Sequence, residues 1–535
     1  MMEFEAYHFP SRRSNVIGRH GMVATSQPLA AQAGLEVLKA GGNAVDAAIA
    51  TVATLCVVEP CSTGIGGDAF ALIWDAATQR LYGLNASGPA PAGLTADLVR
   101  SAGHTTFPAL GALPVTVPGS LRGWELALNR FGSMGLDKLL ARPIAYARDG
   151  FPVSQRIARA WQASTEKMSR HADSQRVWLP GGRAPRAAEI FRNPEFARTL
   201  ETLAEQGYDA FYTGDVARQI AACAQAAGGV LTEADLANYA AEWVEPISAP
   251  FGDFHFHEIP PNGQGLTALL ALNIARGFDL QALGYGTADY THVLIEAVKL
   301  AFGDAQAYIA DPRQADLPLA GLLSAAYTAE RRAQIRRDQA QPPIAGRPPR
   351  HGDTVYLTVA DGAGNMVSWI QSLYMGFGSG LTAGTTGVQL QNRGANFSLE
   401  PGHPNEAAPG KRPYHTIIPG FITKNGAAWS SFGVMGGFMQ PQGHLQVGLN
   451  LTAFGMDPQT ALDAPRFNWL EGLTVALETT VGADTRAELA RRGHALYPPE
   501  QPLHYGGGQV IVRDPETGVL IGGSEPRNDG TAVGW

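Results

Sequence analysis

Residues 354–373 read TVYLTVADGAGNMVSWIQSL, and this stretch decides the fold. β-Branched and aromatic residues fill both ends, and the DGAGN between them is turn chemistry, so the reading is a β-hairpin. Two more hairpins follow: PGFIT and AAWSSFG flank KNG, and GQVIVRD and GVLIGG flank PET. Helical sequence (LQVGLNLTAFG and ADTRAELARRG) lies between them. Strands returning on themselves with helices interposed predict an α+β sandwich of sheets flanked by helices.

Upstream of the first hairpin the composition changes at Gln341. Residues 342–353, PPIAGRPPRHGD, can donate few backbone hydrogen bonds, and are expected to form an exposed, mobile linker. Before that segment the pattern is mostly helical. PLAAQAGLEVLK ends at Gly41 and Gly42; Asn43 is placed to cap AVDAAIATVATL, which is apolar nearly all round and so expected to be buried. TGIGGDAFALIWD reads as a glycine turn into a strand, PPNGQG as a loop, and DYTHVLIEAVKLAFGDAQAYI as a long helix. No internal repeat is evident.

The bulk numbers exclude several functions. The chain has 535 residues, 45% hydrophobic and only 16% charged, which suits a large layered body and not a disordered one. A formal net charge of -8 leaves no basic excess for phosphates, so no nucleic-acid partner is expected. Cys56, Cys61 and Cys223 cannot form a disulfide framework or a zinc pattern and are expected to be packing residues. The N-terminus lacks an apolar secretory core, and Ala44 to Val58 is too short for a bilayer, so no membrane association and a cytoplasmic location are expected. His292 and Glu296 share a helix face, but no second histidine joins them in the sequence; a plain surface or core pair is expected, and no metal site.

Thr354 stands where the Pro-rich segment meets the first strand. Local sequence leaves it an ordinary strand residue. Cleavage of the Asp353–Thr354 bond would change that, because an N-terminal Thr carries a base in its own α-amino group beside its hydroxyl. That amine titrates near pH 8, so at neutral pH an appreciable fraction is free to take the hydroxyl proton.

A chain-wide pattern bears on this choice. MVATSQPLAAQAGLEVLKAGGNAVDAAIA, EPCSTGIGGDAF, LPVTVPGSLRGW, LTEADLANY, PPNGQG, GKRPYHTIIP, VMGG and the closing SEPRNDG occur in this order. Together they resemble the γ-glutamyltransferase family of self-cleaving N-terminal-nucleophile hydrolases. The resemblance implies an αββα sandwich of two stacked antiparallel sheets, and no metal or organic cofactor. It places the nucleophile on Thr354 and self-cleavage after Asp353. The products would be a mostly helical large chain, 1–353, and a strand-rich small chain, 354–535, paired as a heterodimer, with a dimer of heterodimers left open. Gly436 and Gly437 match the family's oxyanion glycines, and Ser372 replaces a Thr that contacts the nucleophile.

Substrate positions depart from the γ-glutamyl pattern. Ser87 stands for the Arg that holds a substrate carboxylate, Asn396 for the acid that holds its amine, Tyr374 for an Asn and His415 for a Ser. Losing both ends of such a clamp costs about 2–5 kcal/mol per charged hydrogen bond, which argues against efficient glutamyl transfer. Arg393 is a new cation, able to fork onto a carboxylate or to make a structural ion pair. NRG and RPYHTIIP with GIGGDAF look like the branch holding oxamate amidohydrolase and the glutaryl-type cephalosporin acylases. The expectation is hydrolysis of a small anionic amide, oxamate first, with a glutaryl acylase or γ-glutamyl hydrolase second. An unprocessed, inactive binding protein is the alternative of a different class.

Overall fold

The computed structural model describes residues 8–342, 353–498, 501 and 503–535; of Asp353 it describes the backbone alone. The expected linker at 342–353 lies almost wholly outside these residues. Among the described residues the hairpin comes first in the argument. Asp353–Asp361 pairs antiparallel with Met366–Tyr374 around the DGAGN turn. The other two hairpins form as well, Gly420–Lys424 with Ala427–Met435 and Gly507–Arg513 with Leu520–Ser524.

These hairpins seed two different sheets, each seven-stranded and antiparallel throughout. The first sheet extends the Thr354 hairpin with Gly21–Thr25 and Thr531–Gly534 on one side, and with Asp68–Asp75, Arg80–Ala86 and Glu242–Val244 on the other. The second joins the other two hairpins to Val16–Gly18, Ile247–Phe251 and Phe254–Glu258. Both sheets therefore take strands from both sides of the 342–353 segment. The helical reading of the first part missed most of its strands. GMVAT is a short run whose partners lie hundreds of residues away. FHFHE pairs both with the distant Gly420–Lys424 and, across a Gly252–Asp253 turn, with Ile247–Phe251.

Alternation along the strands sorts the core into layers. Val355, Leu357 and Val359 face outward onto the helices Pro28–Lys39 and Ala44–Val58, and the latter is buried at every position. Asn43 caps that helix with its side chain, accepting from the Val45 and Asp46 N–H groups. On the other side Phe432, Val434 and Val510 face outward onto the helices Gly265–Ala275, Ala288–Tyr308 and Met439–Thr452. Between the sheets lie Met22, Phe70, Leu72, Tyr356, Ile370, Phe421 and Ile511. The order is helix, sheet, sheet, helix. No helix among the described residues is long and apolar enough to cross a membrane.

The two central strands sit face to face and very close. Thr358 hydrogen-bonds to Ser431 across the gap. Two residues along, the Tyr356 ring lies under Gly433, where an added Cβ would come within 2.4 Å of the ring. Two further on, the same alternation brings Thr354 to the end of Ala427–Met435, where Gly436 begins. Gly433→Val should therefore overpack the seam and destabilise by about 1–3 kcal/mol, read as a lower urea midpoint; an unchanged midpoint would show that the seam can relax.

Candidate active site

Thr354 is nearly buried, 4% exposed, at the mouth of the sandwich. The pairing of its strand slips by one residue here: Val355 faces Gln371, but Asp353 faces Tyr374. Such a bulge turns a side chain out of the regular ladder. The Thr354 hydroxyl reaches the Ser372 hydroxyl at 3.5 Å, and the Gln440 side-chain amide lies 3.4 Å from the same oxygen. Gln440 is itself fixed by accepting the Ile418 N–H at 2.9 Å. Ser372 accepts the Tyr374 N–H at 2.7 Å, and the glycine loop rides on it: a Cβ on Gly67 would fall 2.3 Å from the Ser372 carbonyl oxygen.

Gly436 and Gly437 take φ values of 128° and 60°, both in the region that favours glycine. They link the inner strand to the helix Met439–Thr452, so the start of that helix points at Thr354. Their carbonyls are occupied, by Met439 N–H and by the Gln264 side-chain amide. Among the described residues their N–H groups have no acceptor. Two such donors beside a hydroxyl nucleophile are what an oxyanion requires.

Arg393 completes the inner wall. It opens the short helical turn Arg393–Asn396 and is fully buried, with its guanidinium 4.3 Å from the centre of the Tyr374 ring. One nitrogen donates to Thr416 Oγ1 at 2.6 Å, while Nε and the other terminal nitrogen have no acceptor among the described residues. The Tyr374 hydroxyl and Asn396 Oδ1 are also buried without a hydrogen bond. Burial pushes Arg393 down to about 10, against the pull of Tyr374 and Asp68, so it stays charged at neutral pH. Tyr374 has φ 81°, a strained conformation for a bulky residue, and this bend follows directly on the end of its strand.

Two expected substrate residues sit one layer further back. His415 Nε2 lies 3.0 Å from Asp68, and its Nδ1 accepts the Ile417 N–H. Burial, with Arg393 and Arg412 nearby, holds the ring neutral, its pKa well below the usual value. Asp68 also accepts from Gly88, Gly119 and Gln391, which work against the burial that pushes it up to about 7. Ser87 donates to Asn85 and exchanges hydrogen bonds with Asn262. Both side chains spend their polar atoms on the protein. Thr354, Ser372, the glycine pair, Tyr374, Arg393 and Asn396 are brought together; Ser87 and His415 brace them.

Sequence reasoning missed the outer wall. A cavity of about 300 Å³ opens over Thr354 and Gly436, lined also by Glu59, Arg156, Arg159, His504 and Asp529. Glu59 and Asp529 belong to the EPCSTG and SEPRNDG motifs, which carry no assigned role in the sequence reading. Arg156 and Arg159 sit in QRIARAWQA, which carries no signal beyond helix.

The His292 reading needs correction. A second histidine does arrive: His494 lies 2.8 Å from His292, with Glu296 close by, and all three are buried. Distance in sequence hid it. The cluster already contains a cation, since Lys299 pairs with Glu296, and His292 also reaches the Arg336 carbonyl.

Residues 30–535 match the family described as gamma-glutamyltranspeptidase. The chain is 37% identical to the glutathione hydrolase-like proenzyme of Bacillus subtilis (strain 168), covering 97% of this chain and 99% of that one. It is 34% identical to the oxamate amidohydrolase proenzyme of Klebsiella pneumoniae, covering 98% of this chain and all of that one (100%). Among solved structures, cephalosporin acylase from Bacillus halodurans superposes with a TM-score of 0.93 at 49% identity, covering 100% of this chain and 99% of that one. The chain belongs to the gamma-glutamyltranspeptidase family of N-terminal-nucleophile hydrolases and is an enzyme of amide-bond hydrolysis.

Proposed function

We propose that the protein is a self-processing amidohydrolase for amides whose acyl group carries a carboxylate. The Thr354 hydroxyl attacks the Asp353 carbonyl, and the Asp353–Thr354 amide bond breaks as its nitrogen takes the hydroxyl proton. Water hydrolyses the resulting ester to leave a 1–353 and 354–535 heterodimer. In the mature enzyme the freed α-amine takes the Thr354 hydroxyl proton as the oxygen attacks the substrate amide. Gly436 and Gly437 N–H groups receive the oxyanion, and Ser372 and Gln440 orient the nucleophile. The amine leaves with the proton, and water, activated by the same α-amine, resolves the acyl-Thr ester to carboxylate and free enzyme.

One observation carries the substrate reading: the buried guanidinium of Arg393, two of whose nitrogens have no acceptor among the described residues. A buried charge left without partners is costly, and an anionic ligand within its reach would remove that cost. The Tyr374 hydroxyl and Asn396 lie near enough to complete such a pocket. Oxamate, among the smallest anionic amides, is the first candidate. The outer cavity favours a second reading, a glutaryl-type acylase. It shares Arg156, Arg159, His504 and Asp529 with another cavity of about 670 Å³. Spaces of about 300–1,000 Å³ suit leaving groups much larger than ammonia. The γ-glutamyl reading is weaker, because Ser87 and Asn396 offer no opposite charges for an amino-acid clamp.

Three outcomes test this. Processed enzyme should release product from oxamate or a glutaryl amide faster than from a γ-glutamyl anilide; faster anilide turnover would refute the anionic-acyl reading. Arg393→Ala should raise KM for an anionic amide by at least about tenfold, a loss of 1.4 kcal/mol or more, and leave KM for a neutral amide nearly unchanged. Equal effects on both would remove Arg393 from the site. The rate should rise with pH through a single ionisation near about 8, as the α-amine loses its proton; a flat profile from pH 6 to 9 would exclude it as the base.

A further inference from the structure

We propose that Arg156 and Arg159 form a second anion site, which recognises a carboxylate on the departing amine rather than on the acyl group. The proposal rests on the glutaryl-acylase reading above, whose departing amine is larger than ammonia, and extends it to the other half of the substrate.

The geometry separates the two halves. Arg393 is fully buried and stacked on Tyr374, and in the reading above it meets the part of the substrate that stays on Thr354. The leaving amine must depart through the cavity in front of Thr354 and Gly436. The helix Gln155–Ala163 forms a wall of this cavity, packed in place by the buried Ile157 and Trp161. Arg156 and Arg159 are three residues apart on it, close to one face of the helix, and both line the inner cavity and the wider one beyond.

Neither guanidinium has an ion pair or hydrogen bond among the described residues, whereas arginines such as Arg80, Arg122, Arg183 and Arg527 pair with acids. The acids on the same wall make no ion pair with either guanidinium among the described residues. Glu59 is buried and accepts the Ser26 hydroxyl, and Asp529 accepts the Arg156 backbone N–H. His504 faces the same space, with Nδ1 accepting the Gly506 N–H. Two exposed cations three residues apart can bracket one carboxylate, and guanidinium is the group best shaped for it. The fitting leaving groups are amines that themselves carry a carboxylate: α-amino acids, short peptides, or a cyclic amine acid.

The test uses processed enzyme and two amides with one acyl group, glutaryl 4-aminobenzamide and glutaryl 4-aminobenzoate. Their leaving groups differ chiefly in the carboxylate. The wild type should prefer the aminobenzoate amide in kcat/KM, and added salt should shrink the preference. Arg156→Ala/Arg159→Ala should lower the ratio of the two kcat/KM values by about fivefold to tenfold. The double Lys variant should retain most of it, and Arg159→Glu should shift preference toward an amide of 4-aminobenzylamine. Turnover of both amides with a ratio that none of these variants moves would overturn the Arg156/Arg159 site and leave the hydrolase reading intact. Turnover of neither amide by wild type would overturn the glutaryl reading, and this proposal with it.

Discussion

The close contact between the two sheets at Tyr356 and Gly433 governs the rest of the structure. A side chain at position 433 would push the central strands apart, because its Cβ would fall within 2.4 Å of the aromatic ring. With glycine there, Thr358 can reach Ser431, and the strand alternation carries Thr354 to the point where the opposite strand gives way to Gly436 and Gly437. Thr354 and the glycine pair, the proposed nucleophile and oxyanion donors, are carried by different sheets, and the face-to-face packing aligns them. The reaction therefore depends on the sandwich, and the sandwich on sequence far from the reacting atoms.

Around that seam the polar groups fall into two layers with different tasks. The inner one, with Arg393, Tyr374 and Asn396, holds unpaired donors and acceptors in a buried setting, an arrangement that is costly unless a ligand completes it. The layer behind it, with Asp68, His415, Ser87 and Asn262, is almost fully satisfied within the protein. A family position that holds substrate elsewhere is here filled by Ser87 bonded to its neighbours. In the proposed reading the charge that holds the substrate sits on a different wall of the pocket, at Arg393.

Much of this was legible in the sequence, and the parts that were not share a cause. The three hairpins, the Asn43 cap and the buried helix Ala44–Val58 follow from local alternation and turn chemistry. The glycine pair and Thr354 needed the chain-wide resemblance, because each is unremarkable alone. The strand Gly21–Thr25 was missed because its evidence lies in distant partners. The same holds for His494 beside His292 and for Arg156 and Arg159 over Thr354: nothing in a helical segment announces what it will face. The positive φ of Tyr374 is a further case, since bulky aromatic sequence gives no sign of a backbone strained into place by its surroundings.

The central claim is that Thr354 becomes an N-terminus and then carries the acyl group. Intact-mass spectrometry of the purified protein under denaturing conditions addresses it directly. The account predicts two chains, one of them the 182 residues from Thr354 to Trp535 (535 − 353), and that smaller chain should gain the acyl mass when quenched during turnover. A single full-length mass, or cleavage at any other bond, would contradict it.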